Sequence, residues 1–456
     1  MSIHNLSSRI LRSVLRGPGI PRDDRERKWV TFNNFILHFR PIRVPAKTLS
    51  FTHTFGLGGM SLVLVLLLVG TGVLLMFGYE PVPGNAYVSV ARLQETVTFG
   101  GFVRGIHHWS ANLLIVVMTL HLLRVFFTGA FHPPRQFNWI IGLTLSACVL
   151  VSNFTGYLLP WDQLSYWAIT ISTGMLGYVP WMGGWLQAAI RGGDELGQAT
   201  LITFYTLHTT VVPVLIFLLM GFHFWRVRKA NGVVVPRSPG EAMEPQPERV
   251  LGLPFLFMRE FVVGLGLVAA VFLFSALVSA PLGVAANPGM SPNPAKAPWY
   301  FMGFQELLLH FHPVFAVVIL PLAGVVGLAM VAYWVYDEDP SGIWFGSFRG
   351  RALAIAATVA GLVVTPLLVM ADEWLLDLAG IAPGVPPVLR DGAIPVGILG
   401  LGLWVGYRWL RTRKSATRAE AVQTAFVFLA TGFFVLTAIG VWFRGPGMAL
   451  GWGGWS

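Results

Sequence analysis

The sequence predicts an all-α membrane protein, and three observations lead to that class. Of its 456 residues, 55% are hydrophobic and only 11% are charged, which leaves little room for a water-soluble domain. Apolar stretches of membrane-spanning length recur along the chain. The 17 tryptophans and 33 phenylalanines supply the aromatic side chains that membrane interfaces favour. The net charge of +10 comes from basic residues in particular loops, so it indicates orientation in a membrane and no binding of nucleic acid.

Nine stretches are long and apolar enough to be membrane-spanning helices. They lie at about residues 51–79, 102–129, 136–158, 200–225, 257–281, 312–336, 351–371, 393–410 and 421–443. The segment before the first helix and the connections after the fourth and the eighth are strongly basic, and the positive-inside rule places them in the cytoplasm. The N-terminus is therefore predicted to be cytoplasmic and the C-terminus to lie outside.

The chain divides into a four-helix bundle that is rich in histidine and five further helices without a histidine in mid-span. A polar segment with helix-breaking NG, PRSPG and PQP sequences separates the two parts. Two predicted outward connections, about 159–199 and 282–311, are long for a compact bundle and favour a functional role. The predicted regions are a basic N-terminal segment (1–50), the dihistidine bundle (51–235), a cytoplasmic linker (236–256), a second helical region (257–380) and two extra helices (381–456).

Two pairs of histidines form the most informative pattern in the bundle. His107 and His121 are fourteen residues apart in the second predicted helix, which brings them to within about 40° of one helix face and separates them by roughly 21 Å. His208 and His223 are fifteen apart in the fourth helix. Since both helices run inward, His107 and His208 (the outer pair) lie at one depth, and His121 and His223 (the inner pair) at another.

Haem iron is the metal centre that fits this pattern. A structural zinc site needs its four ligands together, whereas two facing imidazoles close both axial positions of a haem iron and favour electron transfer. Glycines repeat the same interval of fourteen in the first and third helices, where they allow a flat group to approach the backbone. These glycines are Gly58 and Gly72, and Gly142 and Gly156.

The sequence resembles cytochrome b of the quinol:cytochrome c oxidoreductases, in the branch of cytochrome b6 and subunit IV. The b6-like segments are GGMSLVLVLLLVGTG, YEPVPGNAYVSV, RGIHHWSA, LHLLRVFFTGAF, FTGYLLPWDQLSYWA, GQATLITFYTLHT and FHFWRVRK. The second half resembles subunit IV more thinly, through NPAKAPWYFMGFQELL, and the last two helices extend beyond the resemblance. The fifteen-residue histidine interval is typical of the b6-like and related bacterial branches.

This resemblance implies two non-covalent b haems, held by the outer and the inner pair. It also implies that Arg104 and Arg124 neutralise haem propionates, the alternative being that both side chains extend to the membrane interface. Gly56 stands where cytochrome b6 carries the cysteine for a covalent haem, and Cys148, the only cysteine, lies in the middle of an apolar stretch. We therefore expect no covalent c-type haem on this chain.

The two long outward connections form the quinol oxidation site in this family. The family's Pro-Glu-Trp-Tyr motif reads Ala297-Pro298-Trp299-Tyr300 here, so the usual glutamate is a proline. Pro298, Trp299 and Tyr300, together with Tyr157, are expected to line the quinol pocket. Arg228 is a candidate contact for quinone at the cytoplasmic face, unless it is simply one of the basic residues that the positive-inside rule places there.

Quinol oxidation releases protons, so some group must replace the missing glutamate. Glu306, expected at the start of the sixth helix, is the nearest candidate for a catalytic proton relay. Its alternative role is that of a solvent-facing acid stabilised by the helix dipole. Asp162 and His310 are weaker candidates.

The implied activity is that of the cytochrome b subunit of a respiratory or photosynthetic quinol:cytochrome c reductase that couples electron transfer to proton translocation. The implied partners are a Rieske iron-sulfur protein, a c1-like or multihaem cytochrome c and a second copy of the complex, in the inner membrane of a bacterium. The quinone is menaquinone or ubiquinone. Two alternatives remain: a dihaem membrane anchor of a dehydrogenase or hydrogenase, and a transporter or structural bundle without haem.

Overall fold

The computed structural model describes residues 21–33, 41–238, 247–376 and 378–451, and long helices dominate these ranges. Eight helices are long and apolar enough to cross a membrane, and a ninth apolar helix, α6, has 17 residues. The nine are α1 (Leu57–Met76), α2 (Gly100–Phe127), α3 (Gln136–Leu158), α4 (Gln198–Lys229), α5 (Gly252–Leu277), α6 (Phe315–Val331), α7 (Phe348–Trp374), α8 (Leu389–Arg413) and α9 (Arg418–Trp442). The prediction of an all-α membrane protein is confirmed, with α6 shorter than expected.

Shorter elements fill the connections. The short α-helices are Asp24–Asn33, Phe51–Thr54, Pro83–Glu95, Gln163–Gly174, Gly183–Arg191, Met302–His310 and Leu378–Ile381, and the 3₁₀ turns are Ala46–Leu49, Met175–Tyr178, Trp299–Phe301 and Pro446–Met448. Strands β1 (Arg43–Pro45) and β2 (Arg249–Leu251) pair antiparallel. This pairing joins the predicted N-terminal segment to the predicted linker, of which residues 239–246 lie outside the described residues, as do residues 1–20 and 34–40 of that segment.

Helices α4, α6 and α8 each contain a π turn, at Leu207–Val211, Phe315–Ile319 and Leu389–Ala393. A proline follows each turn after one intervening residue: Pro213, Pro321 and Pro395. Proline has no backbone N–H and its ring crowds the carbonyl one turn earlier, so the helix must loosen just before it. A π turn places one extra residue in the helix without breaking it.

The first four long helices form the bundle that the histidine pattern predicts. Helix α1 packs on α2, and α3 packs on α4. Their shared core includes Leu64, Leu114, Val149 and Ile216, all nearly inaccessible to solvent. Because these apolar faces point inward, the histidine faces of α2 and α4 can lie opposite one another.

Helix α9 ties the C-terminal region to both ends of the molecule. At its first turns, the side-chain amide of Gln423 donates to the carbonyls of Phe126 and Phe127 at the end of α2, both at 3.4 Å. Along its length α9 packs on α7, and its last turns contact the short helix Met302–His310. The two extra C-terminal helices therefore include one, α9, that is an integral part of the fold.

The two long connections contact each other. The backbone N–H of Gln163 donates to the carbonyl of Val284 at 2.8 Å, and the indole of Trp167 donates to the carbonyl of Asn287 at 3.2 Å. Both connections therefore lie at the same face of the bundle. Arg104, three residues before His107, donates to the carbonyls of Ala280 and Pro281, so the outer pair is the one nearer this face.

Candidate functional site

The histidines of α2 and α4 face each other as two pairs. The ring centroids of His107 and His208 are 6.0 Å apart, and those of His121 and His223 are 6.4 Å apart. A metal–imidazole bond is about 2 Å long, so rings at this separation can bind one metal from opposite sides. The pairing in depth that the sequence predicts is thus present in the structure.

Hydrogen bonds fix the orientation of both rings of the outer pair. Nδ1 of His107 lies 3.0 Å from the hydroxyl of Thr71, which itself donates to the carbonyl of Leu67, so His107 must be the donor to Thr71. Nδ1 of His208 donates to the carbonyl of Ser152 at 2.8 Å. With the proton on Nδ1, each Nε2 keeps a free lone pair, as axial ligation requires.

The predicted glycines pack directly against the histidine rings. A Cβ atom added to each glycine would meet one imidazole, and the distances to its nearest carbon are 3.2 Å for Gly72 and His107, 3.4 Å for Gly58 and His121, and 3.8 Å for Gly142 and His223. At Gly156 the added atom would overlap Cε1 of His208, so no side chain fits there. These glycines let the rings, and a flat group between them, lie close to the backbones of α1 and α3.

The donor set decides which kind of metal centre these residues suit. In the part of the chain that the structure describes, no three His, Cys, Asp or Glu side chains come together to hold a single metal ion. Two opposed imidazoles with glycine on either side fit a haem iron, whose porphyrin supplies the other four ligands. The residues present therefore fit two haems and do not fit zinc.

The π turn of α4 explains why an interval of fifteen residues between the histidines of α4 matches the interval of fourteen on α2. His208 lies within the turn Leu207–Val211, which adds one residue to the helix. The remaining interval to His223 is equivalent to fourteen α-helical residues, the same as in α2. The α-helical interpretation of the interval missed this turn, although Pro213 is its signal in the sequence.

The two predicted propionate arginines are buried and bonded to protein. Arg104 donates to the carbonyl of Ala280 at 2.9 Å, and Arg124 donates to the carbonyl of His53 at 3.0 Å. Both side chains are nearly inaccessible to solvent, so neither is an exposed surface cation. A propionate contact remains a prediction for both residues.

The Ala-Pro-Trp-Tyr segment lies beside the outer pair. Pro298 is buried, and the indole of Trp299 donates to Oδ1 of Asn112 on α2 at 2.8 Å. Tyr300 packs against the bundle core next to Tyr157; burial raises the pKa of the Tyr300 hydroxyl, and Tyr157 adds to that rise. The structure therefore brings the predicted pocket residues together at the face of the long connections.

Asp162 has a structural role in the first connection. Its carboxylate accepts hydrogen bonds from the backbone N–H of Ser165 and of Gly283, both at 2.9 Å. The first contact caps the helix Gln163–Gly174, and the second joins the two connections. A role of Asp162 as a proton acceptor stays a prediction.

Glu306 is not where the sequence predicts it. It lies in the separate short helix Met302–His310, before α6, and its side chain is 0% exposed, so both the location at the start of the sixth helix and the solvent-facing alternative are wrong. Its carboxylate accepts from Nε of Arg444 at 2.5 Å. Burial raises the pKa of Glu306, and the hydrogen bond from Arg444 opposes that rise.

Comparisons with known proteins agree with this geometry. Residues 44–231 match the family model described as Cytochrome b/b6/petB. The chain is 42% identical over 173 residues to the cytochrome b6 of Chlamydomonas reinhardtii. The aligned residues make up 38% of this chain and 80% of that protein. It is equally similar to the cytochrome b6 of Synechococcus sp. (strain CC9902), with 79% of that protein covered. The chain belongs to the cytochrome b/b6 family.

The fold likeness extends further along this cytochrome b/b6 chain than the family match. A solved structure titled "Hyperthermophilic respiratory Complex III" aligns with a TM-score of 0.63 and 20% identity, over 91% of this chain and 98% of that one. With 91% of the chain aligned, the shared fold reaches well beyond residues 44–231. The family match ends at residue 231, before the Ala-Pro-Trp-Tyr segment and Glu306.

The opposite face of this family member carries basic residues. Arg228 lies near the end of α4, five residues after His223. Nearby in the fold, His53 is buried, its Nε2 lies 2.8 Å from the carbonyl of Val234, and burial and Arg124 lower its pKa to about 4. The role of Arg228 in quinone binding stays a prediction.

Sequence reasoning missed Arg444 as a site residue. Its side chain is 1% exposed and contacts two glutamates, Glu306 and Glu373. The sequence does contain a signal for Arg444, because it is a basic residue just after the last helix, on a face that is predicted to hold few basic residues. Only the structure shows that this arginine is buried and paired with two carboxylates.

Proposed function

We propose that this chain is the cytochrome b subunit of a quinol:cytochrome c oxidoreductase-type complex. The observation that supports this most is the pair of opposed imidazole sites, with ring centroids 6.0 and 6.4 Å apart and glycines against every ring. His107 and His208 hold one b haem, and His121 and His223 hold the other. Arg104 and Arg124 neutralise their propionates. Bound there, the haems carry single electrons across the membrane.

The long connections form the quinol oxidation site next to the outer pair. Pro298, Trp299, Tyr300 and Tyr157 line it, and they position quinol with its ring near His107. A haem held by His107 and His208 would accept one of the two electrons, and a partner subunit would accept the other. That acceptor is a Rieske iron-sulfur protein. It is a separate subunit, because the single cysteine of this sequence cannot hold a cluster.

The other parts of the proposal concern the assembly. The complex includes a c1-like or multihaem cytochrome c, works as a homodimer and lies in the inner membrane of a bacterium. The N-terminus is cytoplasmic, the C-terminus lies outside, and Arg228 contacts menaquinone or ubiquinone at the inner face. The bundle and the helices after the linker act as b6-like and subunit IV-like domains.

The chain carries no covalent haem in this proposal. Gly56 has a φ of +66°, which L side chains rarely adopt, and an added Cβ would lie 3.2 Å from Cγ1 of Val263. A cysteine at this position would therefore be strained.

The test is haem content and reducibility in the purified complex. We expect two protohaems per chain by pyridine haemochrome, none of them covalently bound to this chain, and both reduced by added quinol. A transporter bundle without haem would show no b-type absorption. A dehydrogenase or hydrogenase anchor would also contain b haems. In that case, a quinol analogue that blocks the outer site would not prevent their reduction.

Glu306 is proposed to accept a proton from quinol in place of the missing glutamate. The variant Glu306→Gln keeps the shape and the contact with Arg444 but cannot take up the proton. We expect quinol oxidation to fall by about 10- to 100-fold, with both haem spectra unchanged. The measurement is steady-state quinol:cytochrome c reductase activity of the purified complex.

The matched control is Glu420→Gln at the opposite end of α9. Glu420 is also buried and paired, with Arg349 at 2.9 Å. If loss of a buried ion pair were the only effect, both variants would lose activity alike. Wild-type turnover in Glu306→Gln would contradict the relay.

A further inference from the structure

A cluster of ionisable side chains connects Glu306 to the surface at the face of the quinol loops. It consists of Glu306, His310, Asp372, Glu373 and Arg444, from the short helix Met302–His310 and from the ends of α7 and α9. Within the cluster the exposed side-chain fraction rises from 0% at Glu306 to 10% at His310 and 34% at Asp372. The cluster therefore runs from the protein interior to solvent.

Close helix packing brings the cluster together. A Cβ added to Gly303 would lie 2.7 Å from Oγ1 of Thr437, and one added to Gly440 would lie 2.7 Å from Cε of Met302. Only glycine permits this approach of the short helix to α9. The approach sets Glu306 against Arg444, which follows the last turn of α9.

Two contacts orient the ring of His310 between Arg444 and Asp372. Its Nδ1 lies 2.7 Å from Oδ2 of Asp372, and its Nε2 lies 3.4 Å from Nη2 of Arg444. A carboxylate only accepts and a guanidinium only donates, so Nδ1–H can donate to Asp372 while Nε2 can accept a proton from the side of Arg444. The ring therefore has one nitrogen toward the protein interior and one toward the surface.

Charge favours uptake of a proton by the cluster. The groups facing Glu306 are Arg444, His310 and Glu373, and Lys296 lies nearby. With Asp372, three carboxylates stand against the two cations Arg444 and Lys296. The cluster therefore has a net negative charge, which an added proton neutralises.

Spacing along the short helix favours transfer from Glu306 to His310. The two residues are four apart, so their side chains lie on one helix face, one turn from each other. The contact between Arg444 and Nε2 of His310 is long and weak, whereas that between Arg444 and Glu306 is short. Arg444 therefore holds Glu306 in place while Nε2 remains accessible.

We infer that His310 and Asp372 are the outlet for the proton that Glu306 accepts, with Arg444 as a positioning residue. Nε2 of His310 takes the proton from the Glu306 carboxyl, Nδ1 gives its own proton to Asp372, and Asp372 releases it to water. No electron moves in these steps. The outlet depends on the proposed quinol oxidation, which supplies the proton.

The test uses His310→Gln and Asp372→Asn in the purified complex. Glutamine can still donate to Asp372 and accept from Arg444, but it cannot carry a proton. We expect quinol oxidation to fall at least about tenfold in both variants, with both haem spectra unchanged. Added imidazole buffer should restore most of the rate, because a mobile base can replace the ring as carrier. His312→Gln, two residues further on, is the matched control and should keep wild-type activity.

The outcomes separate the outlet from the function that it serves. Wild-type turnover in His310→Gln, or a loss that imidazole does not restore, would overturn the outlet, since the second result indicates a structural role only. A wild-type complex whose haems quinol does not reduce would overturn the proposed function and the outlet with it. Arg444→Gln should also lose activity, but without rescue, because a mobile base cannot reposition Glu306.

Discussion

Replacing His107 by alanine should remove one of two b-type haem signals. The ring centroids of His107 and His208 are 6.0 Å apart, so the imidazole of His107 forms one side of the outer pair. Loss of one axial ligand leaves a low-affinity site, so the reduced-minus-oxidised b absorbance should fall by about half. Quinol oxidation should fall to background, because the proposed electron path across the membrane begins at the outer pair.

The neighbouring His108 provides the control for this result. Its ring contacts the side chain of Asn112 at 3.3 Å and does not face His208. His108→Asn should therefore retain both haems. Replacing His121 should remove the other half of the absorbance. Full b absorbance in His107→Ala would contradict the assignment of the outer pair.

Replacing Gly156 by alanine, the smallest possible substitution, should also weaken haem binding at the outer pair. A methyl group there would overlap Cε1 of His208, closer than real contacts allow, so the imidazole would have to shift from its place opposite His107. Overpacking of this sort costs about 1–3 kcal/mol, which corresponds to a 5- to 150-fold loss of affinity at roughly 1.4 kcal/mol per tenfold. Haem titration of the purified Gly156→Ala chain should show one weakened site.

Gly221 provides the control on the same pair of packed helices. A Cβ at Gly221 of α4 meets no atom within 4 Å. Gly221→Ala should bind both haems as the wild type does. Equal haem affinity in the two variants would show that the contact at Gly156 does not shape the site.

The histidine sites were predictable because they rest on local periodicity. A residue's depth in a spanning helix follows from its position along the chain, so the sequence alone is enough to assign depths to His107 and His121. The location of Glu306 was not predictable in this way. Its environment depends on Arg444, 138 residues later, and on the approach of two helices at Gly303 and Gly440.

The wrong position of Glu306 has a local cause as well. An apolar stretch from the Trp-Tyr segment onward looks continuous in sequence, but His312 and Pro313 interrupt it. The chain is extended at Phe311, with φ −126° and ψ 150°, and the short helix ends at His310. Proline restricts the residue before it and starts a new helix readily, which is a boundary signal that hydrophobicity alone conceals.

The π turn in α4 has a consequence for how such helices diverge. Inserting one residue into an α-helix ordinarily rotates everything beyond it by about 100°, which would turn a ligand away from its partner. At Leu207–Val211 the extra residue is accommodated as a local bulge, and both histidines of α4 still face those of α2. A single insertion or deletion at this turn can therefore change the interval between the two histidines of α4 while both pairs stay opposed.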